Sequence, residues 1–169
     1  MVIMAILWGV TALNYYLIAY YMKYVPGNLY VNTTVSTVSE LSAYATSGVI
    51  YSYVGGNKTF MVSFLIAALG GLLIAFIPAD GYLIASFVFI AKFGIAISYN
   101  LVYVITASLF PTERSATAFG LCEMSAMLCS VMSPVLAELK GSTPMLFYSG
   151  TSILALISAL FLRQKQKKQ

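Results

Sequence analysis

Three ionisable residues, Glu40, Lys92 and Glu123, lie inside long apolar stretches of the 169-residue chain. At about 1.5 Å per helical residue, each falls about 12–16 Å from an end of its stretch, near the middle of a hydrocarbon core about 30 Å thick. A charge at that depth costs at least about 2.5–3.5 kcal/mol unless it is paired or hydrated. We therefore expect Lys92 to pair with Glu40 or Glu123. The pair would either fix helix packing or line a substrate pathway, and a lysine reaching toward the lipid headgroups is the third option.

Familiar catalytic chemistry is not indicated. The chain has no histidine, and Cys122 and Cys129 lie about two helical turns apart, too far for a disulfide with each other. No cysteine or serine stands beside a base, no cluster has metal-ligand spacing, and the glycine pairs lack the context of a phosphate-binding loop. We expect no enzyme, no cofactor and no metal. Four of the nine Lys and Arg residues lie in the last seven positions, so the net charge of +4 does not indicate nucleic acid.

The elements that carry these residues are predicted to be membrane helices. Hydrophobic residues make up 60% of the chain and charged residues 8%, whereas soluble domains are about a quarter charged. The period-two alternation of membrane β-strands is not sustained. We predict an all-α fold of six transmembrane helices, forming one bundle over residues 1–162. The predicted spans are about 1–22, 29–53, 59–77, 82–109, 115–139 and 144–162, followed by a basic tail, 163–169.

The positions of Lys and Arg predict the orientation of the bundle. The tail, Lys58 and Arg114 fall on one side, which the positive-inside rule makes the cytoplasmic-equivalent side. Both termini then lie on that side. Lys23 and Lys140 fall on the opposite, outer side. The sequence therefore predicts a multi-pass integral membrane protein with both ends inside, without naming the membrane.

Polar side chains recur on single faces of three predicted helices. The fourth span carries Lys92, Tyr99 and Tyr103 on one face, and the fifth carries Glu123 and Met127 on one face. Pro134 is expected either to kink the fifth span or to be accommodated by packing against neighbouring helices. The third and sixth spans are apolar all round and are expected to face lipid. The second span has a polar face with Thr33, Thr37, Glu40, Tyr44 and Ser47.

The first span carries a cluster of tyrosines near its outer end, which is expected to anchor it at the membrane interface. The cluster consists of Tyr15, Tyr16, Tyr20, Tyr21 and Tyr24.

Several motifs resemble one transporter family. Residues 92–112, KFGIAISYNLVYVITASLFPT, resemble the tenth helix and following loop of the organic cation and anion transporters. These form the solute carrier 22-type branch of the major facilitator superfamily. Residues 39–44, SELSAY, resemble the eighth helix of that family, and residues 120–122, GLC, followed by Pro134, resemble the eleventh. The resemblance covers nearly the whole chain and implies the C-terminal six-helix half of a twelve-helix fold.

The resemblance also implies roles for the inner-side loops. Pro111 and Thr112 match the loop after the tenth helix, and Arg114 stands one place earlier than the arginine of the family. Of the loop after the eighth helix, this chain keeps one glycine, Gly55, and one cation, Lys58. In this superfamily such loops latch helix ends on the inner side. The family has a glutamate three residues before its Pro-Thr pair, where this chain has Ser108, and most cations of the earlier loop are missing. The resemblance therefore implies a weakened latch.

A second departure concerns substrate charge. Members that transport cations tend to have an acid, and members that transport anions an arginine, at the position of Met127. Glu123 lies one turn away on the same face and could partly replace that acid. Two intramembrane acids against one lysine favour contact with cations or zwitterions.

One six-helix half would expose its polar faces to lipid, so we expect the chain not to be a monomer. A separately encoded N-terminal half, a second copy or unrelated membrane subunits could cover those faces, and the basic tail could contact anionic lipids. The first hypothesis is a repurposed, non-transporting subunit of a larger complex, such as a respiratory-type assembly in the mitochondrial inner membrane. The second is the C-terminal half of a working transporter for organic cations or zwitterions. Because Met1 lies directly in the first predicted helix, we expect a complete short product.

Overall fold

The computed structural model describes residues 2–78 and 81–161, and these residues form α-helices joined by short turns, without a β-strand. The predicted all-α fold is therefore confirmed. The basic tail, 163–169, lies outside the described residues. The helices are α1 (Val2–Tyr21), α2 (Leu29–Val54), α3 (Gly56–Phe76), α4 (Tyr82–Leu109), α5 (Thr112–Ser130), α6 (Met132–Ala137) and α7 (Thr143–Leu160), with a 3-10 turn at Met22–Tyr24 after α1.

Within the described residues, five helical segments are long and apolar enough to cross a membrane, which agrees with an integral multi-pass membrane protein. The second predicted span is not among them. Its helix, α2, has 26 residues and the required length, but serine and threonine recur along it and lower its hydropathy. The five segments are Val2–Tyr24, Gly56–Phe76, Tyr82–Leu109, Thr112–Ala137 and Thr143–Leu160.

The fifth span is interrupted rather than continuous. Helix α5 ends at Ser130, Val131 forms a turn, and α6 begins at Met132. Pro134 explains the interruption, because its ring nitrogen cannot donate to the Ser130 carbonyl and its ring crowds that carbonyl. The longer part of the span, α5, is thus separated from the short helix α6.

Helix α4 is fixed tightly against α3. A Cβ atom added at Gly94 would lie 2.7 Å from the Ser63 carbonyl oxygen, and one added at Gly70 would lie 2.5 Å from the Ala91 Cα. Only glycine permits such close backbone approach, as is common between membrane helices. Helix α3 also packs on α7, so one side of it is buried, and only the other side is available to lipid.

Helix α1 is the centre of the other side of the bundle, where it contacts α4, α5, α6 and α7. A buried polar joint connects it to α7. The Asn14 side chain donates to the Tyr148 carbonyl oxygen at 3.2 Å and to Ser152 Oγ at 3.0 Å, and it accepts from Thr151 Oγ1 at 2.8 Å. These bonds satisfy the amide inside the bundle and fix how α1 is rotated.

Helices α2 and α5 are the least covered of the long helices. Helix α5 buries only Ala118, Cys122 and Ala126. Helix α2 packs on α4 and buries only a narrow stripe, Asn32, Ser36, Ser39, Ala43 and Ser47. The small residues of that stripe allow close packing, and the remaining faces of both helices stay open in the single chain.

Candidate functional site

Helices α2 and α4 bring the predicted ionisable residues together at mid-depth. Lys92 on α4 is 3% exposed, and its Nζ lies 3.7 Å from Glu40 Oε2 on α2. Of the two carboxylates considered for Lys92, the structure therefore places Glu40 beside it. The pairing offsets the cost of a buried ammonium group in a membrane-spanning helix.

Two tyrosines complete the surroundings of this ion pair. The Tyr44 hydroxyl donates to Glu40 Oε1 at 2.9 Å, and the Tyr15 hydroxyl donates to the same oxygen. The Lys92 ammonium also lies 3.5 Å from the centroid of the Tyr15 ring, in a cation–π contact. Because both Glu40 oxygens are engaged, this carboxylate is already neutralised inside the protein.

A row of aromatic rings continues from the ion pair along α4. The Tyr15 and Tyr99 rings stack with centroids 4.4 Å apart, and Tyr99 lies 5.7 Å from Tyr103. The Trp8 ring meets Tyr103 edge to face at 4.5 Å, and its Nε1 donates to Thr106 Oγ1 at 2.9 Å. The row joins the two acids through a surface of π-faces and phenol hydroxyls.

Glu123 on α5 lies at the other end of this row and differs from Glu40. Its Oε2 accepts from the Tyr103 hydroxyl at 3.5 Å, a long hydrogen bond. Over residues 2–78 and 81–161, no lysine or arginine nitrogen lies within 4.0 Å of Glu123. The carboxylate is half-buried and lines a small pocket together with aromatic rings, notably Trp8, Tyr16, Tyr99 and Tyr103, and with Met127.

The remaining predicted residues lie away from this cluster. Met127 is 54% exposed at the rim of the pocket. Pro111 precedes α5 and Thr112 begins it, while Arg114 is exposed in its first turn.

Gly55 ends α2 with a φ of 85°, which favours glycine, and the exposed Lys58 follows in the first turn of α3. Among the described residues, no ion pair involves Arg114 or Lys58. The inner-side latch therefore stays a prediction.

Sequence reasoning missed the role of two aromatic residues. Tyr15 was expected at the membrane interface with the other tyrosines of α1, but it is bonded to Glu40. The sequence pattern gives Trp8 no predicted role. A signal for both was present, because residues 8 and 15 are two helical turns apart and share one face of α1.

Comparisons with known proteins give a consistent group of relatives, although no family model matches the chain. The chain is 29% identical over 160 residues to mouse "Solute carrier family 22 member 21" and 26% identical over 160 residues to human "Organic cation/carnitine transporter 2". It is 28% identical over 171 residues to mouse "Solute carrier family 22 member 4". These alignments cover 92–95% of this chain but only 28–30% of the relatives. The chain thus spans under a third of their length, and these relatives are named as transporters and solute carriers.

Proposed function

We propose that this chain, a homologue of the solute carrier 22 family, forms one wall of a membrane pathway for organic cations. The observation that carries the proposal is Glu123, a carboxylate within a membrane span, half-buried and without a lysine or arginine nitrogen within 4.0 Å in the described chain. An uncompensated charge at that depth is costly. A cationic ligand would remove that cost when it binds.

The surroundings of Glu123 suit an organic ammonium ion. Trp8, Tyr99 and Tyr103 line the same pocket, but its volume of about 10 Å³ holds no more than a water molecule in the single chain. An ammonium ion would therefore approach Glu123 from the open face of α5, where the edge of the aromatic row is nearby; the faces of aromatic rings attract cations by about 0.5–2 kcal/mol. Glu40 is a weaker candidate, because Lys92 and two tyrosine hydroxyls already compensate its charge. In this proposal, Glu123 supplies the counter-charge and Glu40 with Lys92 holds the wall together.

The pathway needs a second wall. In the superfamily that the sequence resembles, two six-helix bodies move against each other around a site at mid-depth. The chain corresponds in this proposal to the C-terminal body. Two observations support this assignment. Helices α2 and α5 have open faces, and the chain covers 28–30% of the relatives' length. The relative named as an organic cation/carnitine transporter supports a cationic or zwitterionic substrate.

The other hypothesis, a non-transporting subunit of a respiratory-type assembly, has weaker support. The relatives' names are those of transporters, and a subunit that only packs gains nothing from an uncompensated carboxylate. The mitochondrial inner membrane depended on that hypothesis and stays a prediction. Transport is therefore the function we prefer.

Cation binding by the full chain in lipid nanodiscs tests the proposal. We expect tetraethylammonium to bind at the open face beside Glu123. Tryptophan fluorescence should report the binding, since Trp8 is the only tryptophan of the chain and lines the small pocket next to that carboxylate. We expect Glu123→Gln to weaken binding at least about tenfold, equivalent to about 1.4 kcal/mol. Glu138→Gln, at an exposed acid outside the pocket, is the matched control and should leave binding unchanged. Equal affinity of Glu123→Gln and the unmodified chain would refute the proposal.

A further inference from the structure

We infer that a cleft at the outer end of the bundle binds an acidic phospholipid, with the phosphate at Lys140 and an acyl chain along the end of α3. The cleft has a volume of about 730 Å³, which is within the range of about 300–1,000 Å³ that is usual for ligand sites. Neither Glu40 nor Glu123 lines it. The inference therefore goes beyond the proposed function and does not depend on it.

The cleft lies where four membrane-spanning helices end or begin. Helices α1 and α3 end beside it, and α4 and α7 begin there. This is the end of the bundle opposite to Lys58. The ends of membrane spans lie at the boundary between hydrocarbon and headgroups, where tyrosines such as Tyr21 and Tyr24 of the lining are frequent. A ligand in this cleft therefore contacts both environments.

Most side chains that line the cleft are apolar, and several of them are open. Phe76 and Ile77 at the end of α3 are 68% and 44% exposed, and Leu139 in the loop before α7 is 44% exposed. Ile84 on α4 also lines the cleft and is buried in the core of the bundle. Apolar surface is stabilised by contact with hydrocarbon and not by contact with water. The lining therefore suits an acyl chain.

Charged side chains at the rim favour an anionic headgroup. Glu138 and Lys140 line the cleft, and Lys23 Nζ lies 3.2 Å from Glu138 Oε1. These two opposite charges cancel, while Lys140 takes part in no ion pair in the described part of the chain. One positive charge therefore remains at the rim. It matches the single negative charge of a phosphodiester, which a lysine ammonium group binds by charge-assisted hydrogen bonds.

Two contacts hold the loop that carries Lys140 against the end of α1. The Tyr21 side chain is buried, and its hydroxyl donates to the Gly141 carbonyl oxygen at 3.3 Å. The ion pair of Lys23 and Glu138 is a second link between the same two segments. The position of Lys140 is therefore largely set before a ligand binds, and a preorganised group loses less conformational entropy on binding.

Native mass spectrometry of the full chain with equal amounts of phosphatidylglycerol and phosphatidylcholine tests the headgroup. We expect about fivefold preferential retention of phosphatidylglycerol, because the positive choline group offsets the attraction between phosphate and Lys140. Lys140→Ala should reduce this preference to less than about twofold. Lys58→Ala is the matched control and should keep the preference, since Lys58 is also an exposed lysine without an ion pair in the described residues. Equal retention of the two lipids, or the same loss in both variants, would overturn the inference.

Quenching by lipids with brominated acyl chains tests the position of the chain. Phe76→Trp in a Trp8→Phe background places the single tryptophan in the cleft. Leu69→Trp in the same background is the control, because Leu69 is an exposed residue of α3 outside the lining.

We expect brominated phosphatidylglycerol to quench more strongly than brominated phosphatidylcholine at position 76, and the two lipids to quench equally at position 69. Millimolar inorganic phosphate should leave the quenching unchanged. Equal quenching by the two lipids at position 76 would contradict a specific lipid site. Reversal of the quenching by inorganic phosphate would show that the cleft binds a free anion, and this result would also overturn the inference.

Discussion

Replacing Glu40 by glutamine tests the energetic role of the ion pair at mid-depth. The substitution leaves Lys92, which is 3% exposed, without its anionic partner at 3.7 Å. At that distance the gross attraction is about 4 kcal/mol for an effective dielectric constant of about 20. Removing one partner of a buried pair typically costs about 3–5 kcal/mol. Because the Tyr15 ring still faces the ammonium group, we expect Glu40→Gln to lower the free energy of unfolding by about 3 kcal/mol.

The reciprocal substitution should be less harmful. In Lys92→Met, Glu40 keeps the hydroxyls of Tyr15 and Tyr44, and its side chain is 22% exposed. We expect a loss of about 2 kcal/mol, because the remaining charge stays hydrogen-bonded. The double variant removes both charges and leaves no unpaired ion. It should therefore cost less than the sum of the single variants, by about 1–3 kcal/mol.

The measurement is reversible unfolding of the four proteins by sodium dodecyl sulfate in mixed micelles, followed by circular dichroism at constant pH. The same cycle at the exposed pair of Lys23 and Glu138, 3.2 Å apart, is the control and should give at most about 1 kcal/mol of coupling. If the two single effects at Glu40 and Lys92 add within about 0.5 kcal/mol, the pair does not act as a unit and the reasoning fails.

Three further predictions use the same unfolding measurement. Gly94→Ala should destabilise the chain by about 1–3 kcal/mol, because the new Cβ would lie 2.7 Å from a backbone oxygen of α3. Gly150→Ala, which meets open space in α7, should instead be neutral or stabilise by up to about 1 kcal/mol, and equal effects of the two would contradict the packing argument. Asn14→Ala should cost about 1–3 kcal/mol, since it removes the three buried hydrogen bonds that join α1 to α7; a loss below about 0.5 kcal/mol would speak against a stabilising role of these bonds. Lys23→Ala should cost less than about 1 kcal/mol, and a larger loss would mean that the exposed pair contributes more than its geometry suggests.

Much of the fold was predictable because most of the long helices are continuous apolar runs in the sequence. Residues that break or end helices separate these runs. Pro134 is an example, since a missing donor and a steric clash disturb a helix wherever the proline stands. The membrane character of α2 was harder to predict. Its length suits a span, yet its serines and threonines make it too polar by hydropathy. A hydropathy average does not include the fact that several of these α2 residues pack against α4, where small side chains favour close helix packing.

The site was predictable in residue types but not in partners. Burial physics required a carboxylate for Lys92, and two were available in the sequence. The choice of Glu40 depends on how α2 sits on α4, which is set by tertiary packing and not by spacing along the chain. The contact of Tyr15 with Lys92 is not predictable for a similar reason. A tyrosine near a helix end suits a membrane boundary equally well, and only the rotation of α1 turns its ring onto Lys92.

The formal charges of the three ionisable residues at mid-depth do not sum to zero. Glu40 and Lys92 cancel each other, which leaves Glu123 as one negative charge among aromatic rings. A membrane-spanning bundle can keep such a charge only if water, a partner or a ligand compensates it. If the aromatic pocket were merely structural, replacing the carboxylate by an amide should stabilise the chain and cost no function. If the pocket holds cations, stability should rise in Glu123→Gln while cation binding falls. Opposite signs of these two effects are therefore the expected signature of a residue retained for binding at the expense of stability.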